Sequence, residues 1–287
     1  MKQINLLMCL MLAASGLFAT GSVLGQEAAS AKDSKKTATA LKYSKPFWPR
    51  VRTNIVKPAN AEFELFVREN PNVISLRLYC EKLTDKGIKH LADLRDLERL
   101  SLYKLSTPLD KVPLNLQLES LLLSQCATRA NDLACLKSLS NLRRVTILFS
   151  GAPLDYHKFS PRAFVHLAKI PRTYSLKFYY CDFREPLDEA TRKAIASLNG
   201  RLKELVFDKH SVNIAAEMVP AIADIKSLER LELGECPYFH PDDFKPLLSL
   251  PNLIEYDAEP YSAKDRAVIR ASGKVAAHTR LTHLTQD

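Results

Sequence analysis

One short apolar frame recurs along most of this chain and limits what it can fold into more than any other feature. An apolar residue, two others, an apolar residue, one other and an apolar residue follow in turn. The copies are Val73-Leu76-Leu78, Leu97-Leu100-Leu102, Leu118-Leu121-Leu123, Leu142-Val145-Ile147, Thr173-Leu176-Phe178 (with threonine first), Leu202-Leu205-Phe207, Leu228-Leu231-Leu233 and Leu253-Tyr256-Ala258. Their starts are separated by 24, 21, 24, 31, 29, 26 and 25 residues. The alternation within each frame is that of a strand with one side turned inward. In most units a second apolar set follows, at Ile88, Leu91, Leu94; Leu133, Leu136, Leu139; Phe164, Leu167, Ile170; Met218, Ile222, Ile225; and Phe244, Leu247, Leu250. Spacings of three and four are helical. Thr84-Asp85, Ser160-Pro161 and His240-Pro241 carry start signals for three of these helices. Each unit is strand, turn, short helix and return, and because one unit cannot cover its own apolar face, the units must stack.

At this point the chain resembles the leucine-rich repeat family. The first unit is the most specific, because "LRLYCEKLTDKGIKHLADLRDL" follows the family's 24-residue form. That unit is similar to repeats common in exported bacterial proteins, including those of planctomycetes. The resemblance spans roughly residues 73–258 and implies an α/β solenoid: a curved, right-handed parallel strand ladder with short helices on its convex side. The second unit lacks a clear helix, and the fourth and fifth carry insertions.

The ends of the chain read differently. Lys2 is the sole charge before Glu27, and an apolar run from Leu6 to Phe18 leads to small residues before Gln26. Residues 1–25 are therefore expected to be a signal peptide, too short in its apolar part to span a bilayer, with export to the periplasm or the medium as the consequence. No later stretch is long and apolar enough for a transmembrane segment. Residues 26–57 hold Lys32, Lys35, Lys36, Lys42, Lys45, Arg50, Arg52 and Lys57 against Glu27 and Asp33, so most of the net charge of +9 sits there. That segment is expected to be a basic flexible linker. With the remainder near neutral, and with export, nucleic acid is not an expected partner. Residues 58–72 are expected to form an N-terminal cap, with Phe63, Phe66 and Val67 on one helix face, and residues 259–287 a C-terminal cap and tail.

Catalytic constellations are scarce. Eight glycines, widely spaced beyond Gly25, write no glycine-rich phosphate loop. The seven histidines form no two-histidine helical metal pair, and no paired-cysteine zinc spacing or nucleophile elbow occurs. No cofactor and no enzymatic activity are expected. A metal site at Glu235, Cys236, His240, Asp242 and Asp243 is outweighed by ordinary helix capping at Pro241. Cys80 stands at the eighth position of its unit, and Cys126, Cys181 and Cys236 at the ninth, where packing explains them. Cysteines two units apart are separated by about 9.6 Å, beyond the roughly 7 Å Cα limit for a bridge. Within the third unit a Cys126–Cys135 disulfide is conceivable.

Function then falls to the strand face away from the helices. The first five units place Arg77, Tyr79, Arg99, Tyr103, Arg144, Lys177 and Tyr179 there, with Arg143 and Tyr174 beside them, and the last three supply Glu204, Asp208, Glu229, Glu232, Glu255, Asp257 and Glu259. Tyr and Arg are the residue types that most often anchor interfaces. We therefore expect a non-catalytic module that binds a protein partner on its concave face. The alternative is a carbohydrate- or envelope-binding structural protein, whose tyrosines stack on cell-wall polysaccharide. A plainer outcome is that these charges pair with one another along the sheet. Phe159, in the insertion of the fourth unit, is expected to be exposed together with Tyr156.

Overall fold

The structure is a computed structural model that describes residues 51–55, 58–149, 157–208, 213–233 and 241–258. Among the described residues the strands are β1 (Val51–Ile55), β2 (Val73–Tyr79), β3 (Arg99–Tyr103), β4 (Ser120–Ser124), β5 (Arg144–Leu148), β6 (His157–Lys158), β7 (Ser175–Tyr179), β8 (Cys181–Phe183), β9 (Glu204–Phe207), β10 (Asn213–Ile214), β11 (Arg230–Leu233) and β12 (Glu255–Ala258). Nine form one sheet in the order β1-β2-β3-β4-β5-β7-β9-β11-β12, every adjacent pair parallel. The eight frames are the last eight of these strands. This is a solenoid of the α/β class, with the parallel strand ladder that the resemblance to leucine-rich repeats implied.

Register gives the ladder its core. Leu76, Leu100, Leu121, Val145, Leu176, Leu205 and Leu231 align across neighbouring strands, as do Leu78, Leu102, Leu123, Ile147, Phe178, Phe207 and Leu233, and all are buried. Against these two columns pack the expected helical sets, carried by Asp85–Ile88 with the 3-10 segment Lys89–Asp93, by the 3-10 segment Ala130–Ser138, and by Ala163–Leu167, Met218–Ala223 and the 3-10 segment Pro241–Ser249. The second unit, the shortest, has room only for the 3-10 turn Leu109–Lys111.

Several elements were not expected. Val51–Ile55 lie within the expected flexible linker, yet form β1, the edge strand of the ladder, with Thr53 and Ile55 in register with Leu76 and Leu78. Linker charge hid a β-branched alternation at Val51, Thr53 and Ile55. The helix Glu189–Ala196 buries Thr191 and Ile195, and Leu187 and Leu198 are buried at its two ends. A threonine at an inward position obscured its pattern. Its start is fixed by Asp188, whose carboxylate accepts the Thr191 N–H at 2.8 Å. The strands β6, β8 and β10 make a second, parallel sheet in the order β10-β8-β6.

The long units that carry this second sheet enclose a phenylalanine cluster. Phe178 and Phe207 stack at 5.4 Å, Phe183 meets both edge-on at 5.0 and 5.5 Å, and Phe159 stands 5.7 Å from Phe183 and 5.3 Å from Phe149. Phe159 is buried, which corrects the expectation of an exposed ring: the extra residues of the fourth unit bring it back onto the core instead of out into solvent. Tyr156 lies outside the described residues, as do the segments expected to be a signal peptide and a C-terminal cap.

At the other end, the helix Asn60–Glu69 covers the first unit with Phe63 and Val67. Asn60 is its attachment. The side-chain amide donates to the Thr84 hydroxyl at 2.9 Å and its oxygen accepts the Thr84 N–H at 3.0 Å. The Asn60 oxygen passes so close to Gly87 that a Cβ there would lie 2.3 Å from it, which is why this unit carries glycine. Gly87→Ala should therefore lower the urea midpoint by displacing the cap. Phe178→Ala should cost about 3–5 kcal/mol and Leu102→Ala about 2–5 kcal/mol in the same measurement.

Candidate functional site

Because side chains alternate across a strand, burying the two columns forces the remaining positions onto the face opposite the helices. Along one outward column stand Ser75, Arg99, Ser120, Arg144, Ser175, Glu204 and Arg230, along the next Arg77, Ser101, Leu122, Thr146, Lys177, Val206 and Glu232, and along the third Tyr79, Tyr103, Ser124, Leu148 and Tyr179. All seven site residues expected from the sequence are on this face. Tyr79 and Tyr103 are register partners, and their rings stack at 4.5 Å with planes 13° apart. Tyr179 stands three strands from Tyr103, with Ser124 and Leu148 between them.

The cations divide into two classes. On β7, β9 and β11 they are tied to carboxylates: Lys177 to Glu204 at 2.7 Å, Arg230 to Glu204 at 3.2 Å and to Glu232 at 3.5 Å, with Lys203 paired to Glu229 at 2.9 Å alongside. Here the plainer outcome holds, and Lys177 is occupied within the sheet. Arg77, Arg99 and Arg144 are exposed, and among the described residues none has a carboxylate within ion-pair distance. What sequence reasoning missed is the apolar middle of the face, where Leu122 and Leu148 sit half-buried between the arginines and Tyr179. Their outward phase in the frame was the available signal.

Glu204 is the hub of the paired region. Burial pushes its carboxyl up, but hydrogen bonds from Lys177 and from the Ser175 hydroxyl at 2.6 Å, with the charges of Lys177 and Arg230, outweigh burial and hold it below the ordinary carboxylate range. Tyr179 is pushed up, first by burial and then by Asp208.

The bends after the strands hold the cysteines. Lys104, Gln125 and Tyr180, each at the eighth position of its unit, adopt the left-handed region, with φ of 57°, 55° and 57°, and the next residues, Leu105, Cys126 and Cys181, turn into the core. Cys80 and Phe149 turn inward at the eighth position itself. Where the left-handed residue is missing, the buried one comes a position earlier. Cys126 donates to the carbonyls of Leu102 and Ser124, both at 3.4 Å. Cys80, Cys126, Cys135 and Cys181 are all free thiols, so Cys126 and Cys135 are not bridged. Burial pushes the Cys80 thiol up to about 12 and those of Cys126 and Cys135 up to about 11. A thiolate is the reactive form, so these groups are structural.

Elsewhere, His90 lies between Glu64 and Asp93, and His166, on the helix Ala163–Leu167, is held below its ordinary value by burial and by Lys169. Among the described residues no group of three or more His, Cys, Asp or Glu could hold a metal ion, and no helix is long and apolar enough to cross a membrane. Glu235, Cys236 and His240 lie outside the described residues.

No known family profile matches the sequence, and no curated protein matches it. Among solved structures the chain is similar to an internalin, InlF, from Listeria monocytogenes, at 16% identity and a TM-score of 0.46, over 76% of this chain and 63% of that one. It is also similar to the TLR13 chain of a TLR13–ssRNA13 complex, at 16% identity and a TM-score of 0.36, over 72% of this chain and 39% of that one. The chain thus spans less than two thirds of either structure's own length.

Two outcomes check this geometry. Because the folded Glu204 carboxyl is depressed, its contribution to stability is present above the ordinary carboxylate pKa and is lost as pH falls through the lower folded value. The stability gap between wild type and Glu204→Gln should be constant near neutral pH and close under acid, as read by urea melts across pH. Native Cys80, Cys126 and Cys181 should react with a thiol reagent far more slowly than the same residues in urea.

Proposed function

We propose that the chain is a non-catalytic binding protein whose sheet face opposite the helices, the concave face of the solenoid, receives a protein partner across β2–β5, outside the cytoplasm. The stacked Tyr79–Tyr103 pair beside Arg77, Arg99 and Arg144 carries this reading: rigid aromatic area and unneutralised guanidinium groups are the usual anchors of protein interfaces. A protein is favoured over a sugar because the ring pair stands among guanidinium groups and beside the half-buried Leu122 and Leu148, a mixture of aromatic, cationic and apolar contacts that anchors protein interfaces. Export rests on the apolar leader before Gln26, and the likeness to exported bacterial repeats on the 24-residue first unit.

The test is retention on immobilised protein, comparing wild type with Tyr79→Ala/Tyr103→Ala after circular dichroism has shown both to be folded. A protein ligand from an envelope extract should bind wild type and be weakened by more than about tenfold in the double variant. Equal binding by the two would overturn the reading, and retention of wild type on insoluble cell-wall polymer alone would replace it with the carbohydrate one.

A further inference from the structure

The charge pattern of the face says more about what it receives. On β2–β5 the outward positions are Ser75, Arg77, Tyr79, Arg99, Ser101, Tyr103, Ser120, Leu122, Ser124, Arg144, Thr146 and Leu148, with no carboxylate among them. Glu98 and Glu119 stand only at the strand entries, where their backbone N–H groups bond to the preceding unit. On β7–β11 the same sheet neutralises its own cations through Glu204 and Glu232. Three exposed arginines without a counter-charge among the described residues, on a sheet face that pairs Lys177 and Arg230, are complementary to an anion supplied from outside. Arginine presents a planar fork that takes a carboxylate by two parallel hydrogen bonds.

Spacing narrows the class of anion. Arg99 and Arg144 share one column on β3 and β5, separated by Ser120 on β4. Two inter-strand steps are about 9.6 Å, and a polyproline II segment, with three residues per turn and a rise of about 3.1 Å per residue, brings side chains three apart onto one side at about 9.3 Å. Leu122 lies on the intervening strand, diagonal to both arginines and half-buried, where it offers an apolar contact between them.

We infer that Arg77, Arg99 and Arg144 bind the carboxylates of an acidic polypeptide segment laid across β2–β5 in the polyproline II conformation, with acidic residues three apart on Arg99 and Arg144 and an apolar side chain between them over Leu122. This rests on the protein-binding reading above and names the chemistry of the partner. Leu122, buried by the segment, supplies the apolar contact, and the arginines supply steering and register.

The experiment pans a random peptide library on the full chain and on Arg99→Glu/Arg144→Glu, then measures recovered peptides by fluorescence anisotropy. Wild type should enrich peptides with Asp or Glu three apart around an apolar residue, and the charge-reversed variant should enrich Lys and Arg at the same spacing. Affinity for a wild-type peptide should fall more than about tenfold in Arg99→Ala/Arg144→Ala and again as salt rises from about 50 to about 500 mM, while Lys169→Ala, exposed just after the helix Ala163–Leu167, leaves it unchanged. Recovery of peptides without acidic enrichment, of no peptide at all, or of the same peptides on both proteins would overturn the inference. Binding of polygalacturonate in place of any peptide would likewise overturn it, by making the anion a polysaccharide. Peptides weakened by Tyr79→Ala/Tyr103→Ala but not by Arg99→Ala/Arg144→Ala would remove the acidic segment and leave the protein-binding face standing. Peptides indifferent to both would remove both.

Discussion

The parallel register of the ladder is the constraint on which everything else in this protein depends. Seven strands in succession hold an aliphatic residue at one inward column and an aliphatic or phenylalanine residue at the next, all buried. Because side chains alternate with a period of two, a slip of a single residue between any two strands would turn both columns to solvent and drive Arg77, Arg99 and Arg144 into the core. The register that buries leucine is thus the same physical fact that displays tyrosine and arginine. A face made in this way is rigid, since each displayed side chain is anchored through its backbone to a buried neighbour on either side.

Units of unequal length are absorbed without disturbing that register. The second unit shortens its helix to a 3-10 turn. The fourth and fifth lengthen the segments that leave the strands, which pair as β6, β8 and β10 and enclose rings of Phe159, Phe164 and Phe183. Phenylalanine is suited to the wider interior, because a large ring fills volume that leucine would leave as a cavity. Asn141 and Asn252, each just before the first residue of its frame, donate to the carbonyls of Leu116 and Lys226 in the preceding unit. These amides satisfy backbone groups that the return segments would otherwise leave unpaired.

The open face is electrostatically divided. From β7 onward, basic and acidic side chains meet within the sheet, and Glu204 alone gathers Lys177, Arg230 and the Ser175 hydroxyl. Such partly exposed pairs add little to stability, but they remove charge that would otherwise attract a ligand. On β2–β5 that neutralisation is missing, and the functional reading concentrates there for this reason and not because of the net charge of the chain.

The amino-acid sequence by itself determined the repeat frame, the two buried columns, five of the helical segments, the cap helix and the identity of the seven displayed residues. Each of these is written in short-range periodicity, which needs only the geometry of a strand or a helix to be legible. The tertiary structure alone decided what depends on partners distant in sequence. β1 became a strand because an edge of the ladder was open to it, against a basic local composition that read as linker. Phe159 became a core residue because Phe149, Phe178 and Phe183 surround it. Lys177, which has the same phase in its frame as Arg77, is neutralised because Glu204 arrives on the next strand, 27 residues later, whereas no carboxylate among the described residues reaches Arg77. Charge pairing across strands is a property of register between units, and the sequence of one unit cannot express it.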